Sequence, residues 1–255
     1  MKNKQKYGFG AIILAIVISI GLMTTYLLNQ DDSHYYHPLP QQEIKTKKKV
    51  SKKKTQTTPK LLVVNKKHPL PKNYNPYNGE KMSSNEGGRG LAPEVQVAKD
   101  KLIKAMQKEN LPISNQVSGY RDYDYQKKLY DEYVAEAGKQ AADTFSARPG
   151  YSEHQSGLAF DLIGKDGELP TNDKLYKWLE NNAYKYGFII RFPREKTSIT
   201  GYMGEEWHLR YVGVKDATQM FNKKIKTLEE YTRVSGGDYN ADVKKDVSAL
   251  DEYKK

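Results

Sequence analysis

At 255 residues, 37% hydrophobic and without cysteine, the chain can hold one ordinary domain plus extensions. It cannot hold a disulfide or a thiolate metal site, so any metal falls to His, Asp and Glu. The formal net charge of +11, from 42 Lys and Arg against 31 Asp and Glu, suits an anionic partner without choosing among nucleic acid, lipid and wall polymer.

Residues 9–28 carry no charge, and at about 1.5 Å of rise per residue a helix of that length covers the roughly 30 Å of a bilayer core. Lys2, Lys4 and Lys6 precede this run, and Asp31 and Asp32 follow it. The positive-inside tendency therefore predicts a cytoplasmic stretch 1–8, a transmembrane anchor 9–28 and an extracellular remainder. The run exceeds the usual apolar core of about 7–15 residues in a cleaved signal, and no Ala-x-Ala site follows it, which favours an uncleaved single-pass anchor in the cell membrane. Residues 29–60 read as a flexible tether, because Lys45, Lys47 to Lys49 and Lys52 to Lys54 repel one another and bury nothing. Reach and solubility are its expected role, with attraction to anionic wall polymers as the sharper alternative. His34, His37 and His68 lack ligand spacing and are expected to be incidental.

The folded domain is expected over 61–233. Leu61 to Val64 reads as a short β-type run. Helices are predicted over 93–110, where Val95, Ala98, Leu102, Ile103 and Met106 recur at helical spacing, and over 124–137, 173–186 and 215–231. Strands are predicted over 113–119, 158–163, 188–192 and 206–212. The polar stretch 234–255 is read as a tail outside the core. This order implies an α+β domain, a small, mainly antiparallel sheet flanked by helices, with the metal site on the sheet.

Three residues draw attention as metal ligands. His154 and Asp161 lie either side of the turn-forming Gly157, and His208 follows in Gly204-Glu-Glu-Trp-His-Leu. Two histidines and a carboxylate suit a catalytic zinc ion, which takes three protein ligands and keeps a fourth position for water. Asp161 sits in an apolar strand, where a carboxylate is costly unless a cation or strong partner neutralises it. A structural polar network is the alternative reading of the same residues. Glu205 or Glu206 is the candidate general base, and regular strand alternation would put Glu206 on the face of His208.

Ser152-x-His154-x-x-Gly157-x-Ala159-x-Asp161, together with Glu205-x-Trp207-His208, resembles the zinc-site signature of VanY-type D-alanyl-D-alanine carboxypeptidases. That group also includes D-Ala-D-Ala dipeptidases and hedgehog amino-terminal domains. The flanks Ser118-Gly-Tyr-Arg121 with Gln126, Ala147-Arg-Pro-Gly-Tyr and Tyr186-Gly-Phe-Ile-Ile-Arg-Phe-Pro agree, and the likeness covers about 61–233. It implies Zn2+ held by His154, Asp161 and His208, with Glu205 as the base. It also implies that Arg121 polarises the scissile carbonyl or stabilises its oxyanion, and that Ser152 and Gln126 hold the end of the substrate. Arg148 is expected to form a structural salt bridge, Trp207 to act as a packing wedge, and Arg191 and Arg210 to be structural.

The expected function is a membrane-anchored, surface-facing zinc carboxypeptidase that removes the terminal D-alanine of peptidoglycan stem peptides. The L-Lys-D-Ala bond of tetrapeptides is favoured over the D-Ala-D-Ala bond of pentapeptides, by analogy with wall-trimming relatives. A non-catalytic, zinc-stabilised wall-binding module is the competing class. A nucleic-acid partner is not expected, since no base-reading motif accompanies the charge.

Overall fold

A computed structural model describes residues 58–77 and 90–255 of the chain. The expected stretch 1–8, the anchor 9–28 and nearly all of the tether 29–60 lie outside the described residues. No helix among the described residues is long and apolar enough to cross a membrane.

Local chemistry sets the helix ends. Pro93, at the first helical position, starts α1 (Pro93–Lys108). The Asp122 side chain accepts from the Tyr125 amide at 2.8 Å to cap α2 (Tyr123–Ala137), and Asn172 does the same from Leu175 at 2.9 Å for α4 (Asp173–Asn182). Gly138, at φ +82°, ends α2 and turns the chain directly into a short α3 (Lys139–Phe145), a helix not anticipated from the sequence. A 3-10 turn, Ala183–Tyr186, extends α4 toward the strand that follows.

Four strands, β1 (Ile113–Ser118), β2 (Ala159–Gly164), β3 (Phe188–Phe192) and β4 (Glu205–Tyr211), form one sheet in the order β1-β2-β4-β3. All three pairings are antiparallel, so the α+β architecture and antiparallel sheet expected from the sequence are present. Strand alternation splits the sheet into two faces. Phe160, Leu162, Phe188, Ile190, Leu209 and Tyr211 join the main core with Val95, Leu102 and Met106 of α1 and Leu175 and Leu179 of α4. Burying each such side chain fully contributes ~1.5–3 kcal/mol. The alternate positions Asp161, Arg191, His208 and Arg210 are also buried but polar, and the functional candidates belong to that set.

Four expectations are corrected. Residues 61–64 form no strand; the carbonyls of Lys60 and Leu62 accept from Arg210 at 2.9 and 2.7 Å instead of a ladder, while Leu62 and Val64 pack against Leu70, Tyr74 and Ala249. The closing helix 215–231 is broken into α6 (Val214–Asn222) and α7 (Leu228–Thr232), after the short α5 (Thr197–Thr200). Lys224 takes a left-handed φ of 55°, and Thr227 caps the new helix by accepting from Glu230 at 3.2 Å. His68, expected to be incidental, is buried with its ring nitrogens 3.1 Å from the Val247 carbonyl and 3.1 Å from Ser235 Oγ.

His68 thus also anchors the polar stretch 234–255, which was expected outside the core. Ala249, opening the short α8 (Ala249–Glu252), is 1% exposed. Tyr151 donates to Asp246 at 2.6 Å. The Tyr239 phenol oxygen accepts from the Arg148 amide at 2.9 Å, and the Arg148 guanidinium lies 3.8 Å from the Tyr239 ring centre. The tail therefore straps down the loop that leads into Ser152 and His154. Tyr239→Phe removes the acceptor for a part-buried amide and is expected to cost about 1–3 kcal/mol, measured as a lower urea midpoint at unchanged slope. Wild-type stability would show that the strap contributes nothing there.

Candidate metal centre

β2 and β4 are neighbours, and their register sets Asp161 directly opposite His208. On the other side of β2, Ser118 pairs with Asp161, so the chain leaving β1 brings Gly119 and Arg121 to the same place. His154 arrives on a 3-10 turn, Glu153–Ser156, which the Ser152 side chain caps by accepting from the His154 amide at 3.4 Å. Gly157 closes that turn at φ +71°, and a Cβ there would stand 2.6 Å from the Gly90 carbonyl oxygen and 2.6 Å from the Tyr77 ring. Only glycine meets both demands.

His154, Asp161 and His208 are all buried, and one potential ligand atom from each lies within 4.8 Å of the others. His154 Nδ1 is 2.6 Å from the Gly119 carbonyl oxygen. A carbonyl can only accept, so Nδ1 carries the proton, and burial, followed by the charge of Arg121, lowers the His154 pKa to about 4 and keeps the ring neutral. The bare lone pair of Nε2 then faces Asp161 Oδ2 at 3.3 Å. His208 Nδ1 stands 3.1 Å from Asp161 Oδ1, an oxygen without a hydrogen-bond partner among the described residues. Converging electron-pair donors of this type fit a divalent cation that takes nitrogen and oxygen. The ring of Phe192 packs beside His208 at 4.8 Å, and the two histidine rings meet edge-on at 4.9 Å.

Burial alone would raise the Asp161 pKa, but the surrounding positive charge, with the Arg121 guanidinium in direct contact, outweighs it and holds the carboxyl well below its ordinary range. Burial likewise opposes a charge on His208, yet the neighbouring carboxylates Asp161, Glu153 and Glu205 outweigh it and lift its pKa to about 9. Arg121 Nη2 donates to Asp161 Oδ2 and, at 2.9 Å, to Ser118 Oγ.

Glu205 and Glu206 have separate surroundings. Glu206 accepts from Arg194 Nε at 2.7 Å, and Arg194 also holds Asp173. Glu205 Oε2 lies 3.7 Å from His208 Nδ1, and burial pushes the Glu205 pKa up to about 8. Strand alternation pointed to Glu206 and failed for a local reason. Ile190 pairs with Leu209 but Phe192 pairs with Glu205, so the β3–β4 ladder is irregular between them and the period of two does not run through β4.

Gln126 is buried; its Nε2 donates to the Ala147 carbonyl at 2.8 Å, which leaves Oε1 as an acceptor without a partner among the described residues. Arg148 forms the expected salt bridge, holding Asp143 at 3.0 and 2.7 Å. Trp207 packs half-buried against the main core. Arg191 and Arg210 are completely buried in ion pairs. Sequence reasoning passed over the Gly119 carbonyl and Glu153, each sitting inside or beside a motif already singled out.

A two-histidine, one-carboxylate cluster where the two central strands of a small antiparallel sheet meet a 3-10 turn, with a buried carboxyl beside it, fits the construction of a single-metal hydrolytic centre. The profile of the VanY family, described as D-alanyl-D-alanine carboxypeptidase, matches residues 88–214. A D-alanyl-D-alanine carboxypeptidase of Enterococcus faecalis is 38% identical in an alignment of 186 residues that covers 67% of this chain and 65% of that protein; the chain thus spans slightly under two thirds of that relative. Among solved structures, an L,D-carboxypeptidase DacB from Streptococcus pneumoniae is 49% identical with a TM-score of 0.62, covering 70% of this chain and 89% of its own. A D,D-pentapeptidase VanY, solved as a variant in complex with Zn(II), is 38% identical with a TM-score of 0.58, covering 68% and 98%. The chain belongs to the VanY family.

The raised Glu205 pKa has a consequence for stability in the metal-free protein. A carboxyl at about 8 when folded, against its ordinary 4.5, binds its proton more tightly in the folded state. Its contribution is therefore complete below pH 4.5 and is lost as pH rises through 8. In chelator, wild type is expected to lose stability relative to Glu205→Gln across that window, followed by urea unfolding at several pH values. Parallel pH profiles would show that Glu205 titrates normally.

Proposed function

We propose that this protein is a zinc-dependent carboxypeptidase that releases the terminal D-alanine of peptidoglycan stem peptides. The carrying observation is the convergence of His154 Nε2, His208 Nδ1 and the Asp161 oxygens beside the buried Glu205 carboxyl. His154, Asp161 and His208 would hold the ion, which when bound lowers the pKa of water toward about 7 and polarises a carbonyl.

The chain's own groups supply the remaining roles. Glu205 Oε2, ionised once the cation's charge stands beside it, takes the proton of the attacking water and returns it to the departing amine of D-alanine. Arg121, anchored through Nη2 to Ser118 and Asp161, has its other guanidinium N–H groups for the oxygen on which negative charge develops. The Ser152 hydroxyl oxygen accepts from the His154 amide and keeps its O–H to donate to the substrate's terminal carboxylate. Gln126, with one N–H committed to the Ala147 carbonyl, keeps its second N–H and the acceptor Oε1 for the end of the substrate.

For the bond cut, we favour the L,D linkage of tetrapeptides. Greater identity to the L,D-carboxypeptidase structure, 49% against 38% for the D,D-pentapeptidase, supports this choice. The uncharged run 9–28 after a lysine-rich start supports a single-pass membrane anchor with the domain outside the cell, where the wall polymer lies, and the lysine-rich stretch 29–60 supports a tether that gives the domain reach.

Zinc-loaded protein is expected to release D-alanine faster from tetrapeptide than from pentapeptide stems, read by mass spectrometry of the products. The reverse order would make it a D,D-enzyme, and no release from either would end the catalytic reading. Glu205→Ala should lower kcat by about 10²–10⁴ while zinc remains bound. If it removed no activity, another group would have to serve as the base.

A further inference from the structure

Beneath the metal centre lies a buried carboxylate that no role above uses. Glu153, 3% exposed, sits between the proposed substrate-facing Ser152 and the ligand His154. Its Oε1 accepts from Arg191 Nε at 2.8 Å and from Arg210 Nη1 at 2.6 Å. Both arginines are themselves fixed. Arg191 holds Glu229 through two further bonds at 2.9 and 2.7 Å, and Arg210 spans the carbonyls of Lys60 and Leu62. Glu153 therefore has one oxygen committed and its plane set. The other oxygen, Oε2, has no hydrogen-bond partner among the described residues and stands 3.7 Å from His208 Nε2, which has none either.

We propose that Glu153 is a positioning residue for the metal centre: its Oε2 receives the Nε2 proton of His208 and thereby reserves the Nδ1 lone pair for the ion. An imidazole has one proton to place when neutral, and a carboxylate on one nitrogen decides which nitrogen stays bare. His208 Nδ1 is the atom facing Asp161 and Glu205, so the nitrogen left bare is the one within the cluster. The Gly119 carbonyl does the same for His154 from the opposite side, at Nδ1. The two histidines thus offer different nitrogens because their fixed acceptors lie on different sides of the cluster. The arginines prevent Glu153 from swinging toward the ion and becoming a ligand itself. This inference rests on reading His154, Asp161 and His208 as a zinc site.

Glu153→Gln is a sharp test. The arginines would keep the amide oxygen, turning the NH₂ group toward His208 Nε2, where donor meets donor. The preferred tautomer then becomes Nδ1–H, which opposes metal binding. Zinc affinity, measured by chelator competition on the full chain, should weaken about 10–100-fold, whereas Glu229→Gln, which disturbs the same arginine without touching His208, should leave it near wild type. Near-UV circular dichroism checks that each variant is folded. Nitrogen NMR of the zinc-loaded wild type supplies an arm independent of any variant, with His208 expected to carry its proton on Nε2 and the metal on Nδ1. A folded Glu153→Gln with wild-type zinc affinity, equal weakening by Glu229→Gln, or a proton on Nδ1 of loaded wild type would each overturn the proposal. Failure of wild type to bind zinc would instead overturn the metal-centre reading.

Discussion

Asp161 is an ionised carboxylate in an inner strand of a four-stranded sheet, and much of the surrounding structure serves to make that tolerable. An isolated charge at such a depth would cost several kcal/mol. Antiparallel pairing answers by bringing His208 across one ladder and Ser118, with Arg121 just beyond it, along the other. The 3-10 turn delivers His154 from above the strand. Each partner comes from a different element, so the site exists only when the sheet has closed, and its assembly is tied to the order β1-β2-β4-β3.

A second layer of charge supports the first. Glu153, Arg191, Glu229 and Arg210 are buried together and balance one another. Such a set adds little net stability compared with a well-packed apolar core, yet removal of one member strands the others at about 3–5 kcal/mol. What it adds here is direction. Guanidinium forks fix carboxylate planes, and one of those planes borders a histidine of the cluster. Asn65 donates to Glu229 at 3.0 Å, and the Lys60 and Leu62 carbonyls bind Arg210, so the segment before the helices is wired to the floor of the centre through the same charges.

Much of this was legible from residue patterns. Helical spacing in 93–106 and apolar runs around Asp161 and Arg191 located α1, β2 and β3 to within a few residues, and the helices read over 124–137 and 173–186 match α2 and α4 with its 3-10 extension. His154, Asp161 and His208 were legible as a set because their residue types and the apolar setting of Asp161 demand a cation or its equivalent. Other features lay beyond local pattern. Leu61 to Val64 has strand composition, but its carbonyls bond to a side chain from β4. Which of Glu205 and Glu206 lies beside His208 turned on a ladder irregularity that β3 shares with β4, and the period of two could not reveal it. Glu153 looked like a variable position in a motif, because its significance depends on two arginines far away in sequence.

The strap formed by 234–255 separates two boundaries that are easily equated. The family profile ends at residue 214, and every metal-site motif lies before that point. Yet the loop entering Ser152 is held by Tyr239 and Asp246, and the wall of residues behind it is closed by Ala249. A domain trimmed to the span of the family profile would retain all of its chemical vocabulary while losing part of the frame that orients it. For this chain, the span of the profile is shorter than the span that folds together.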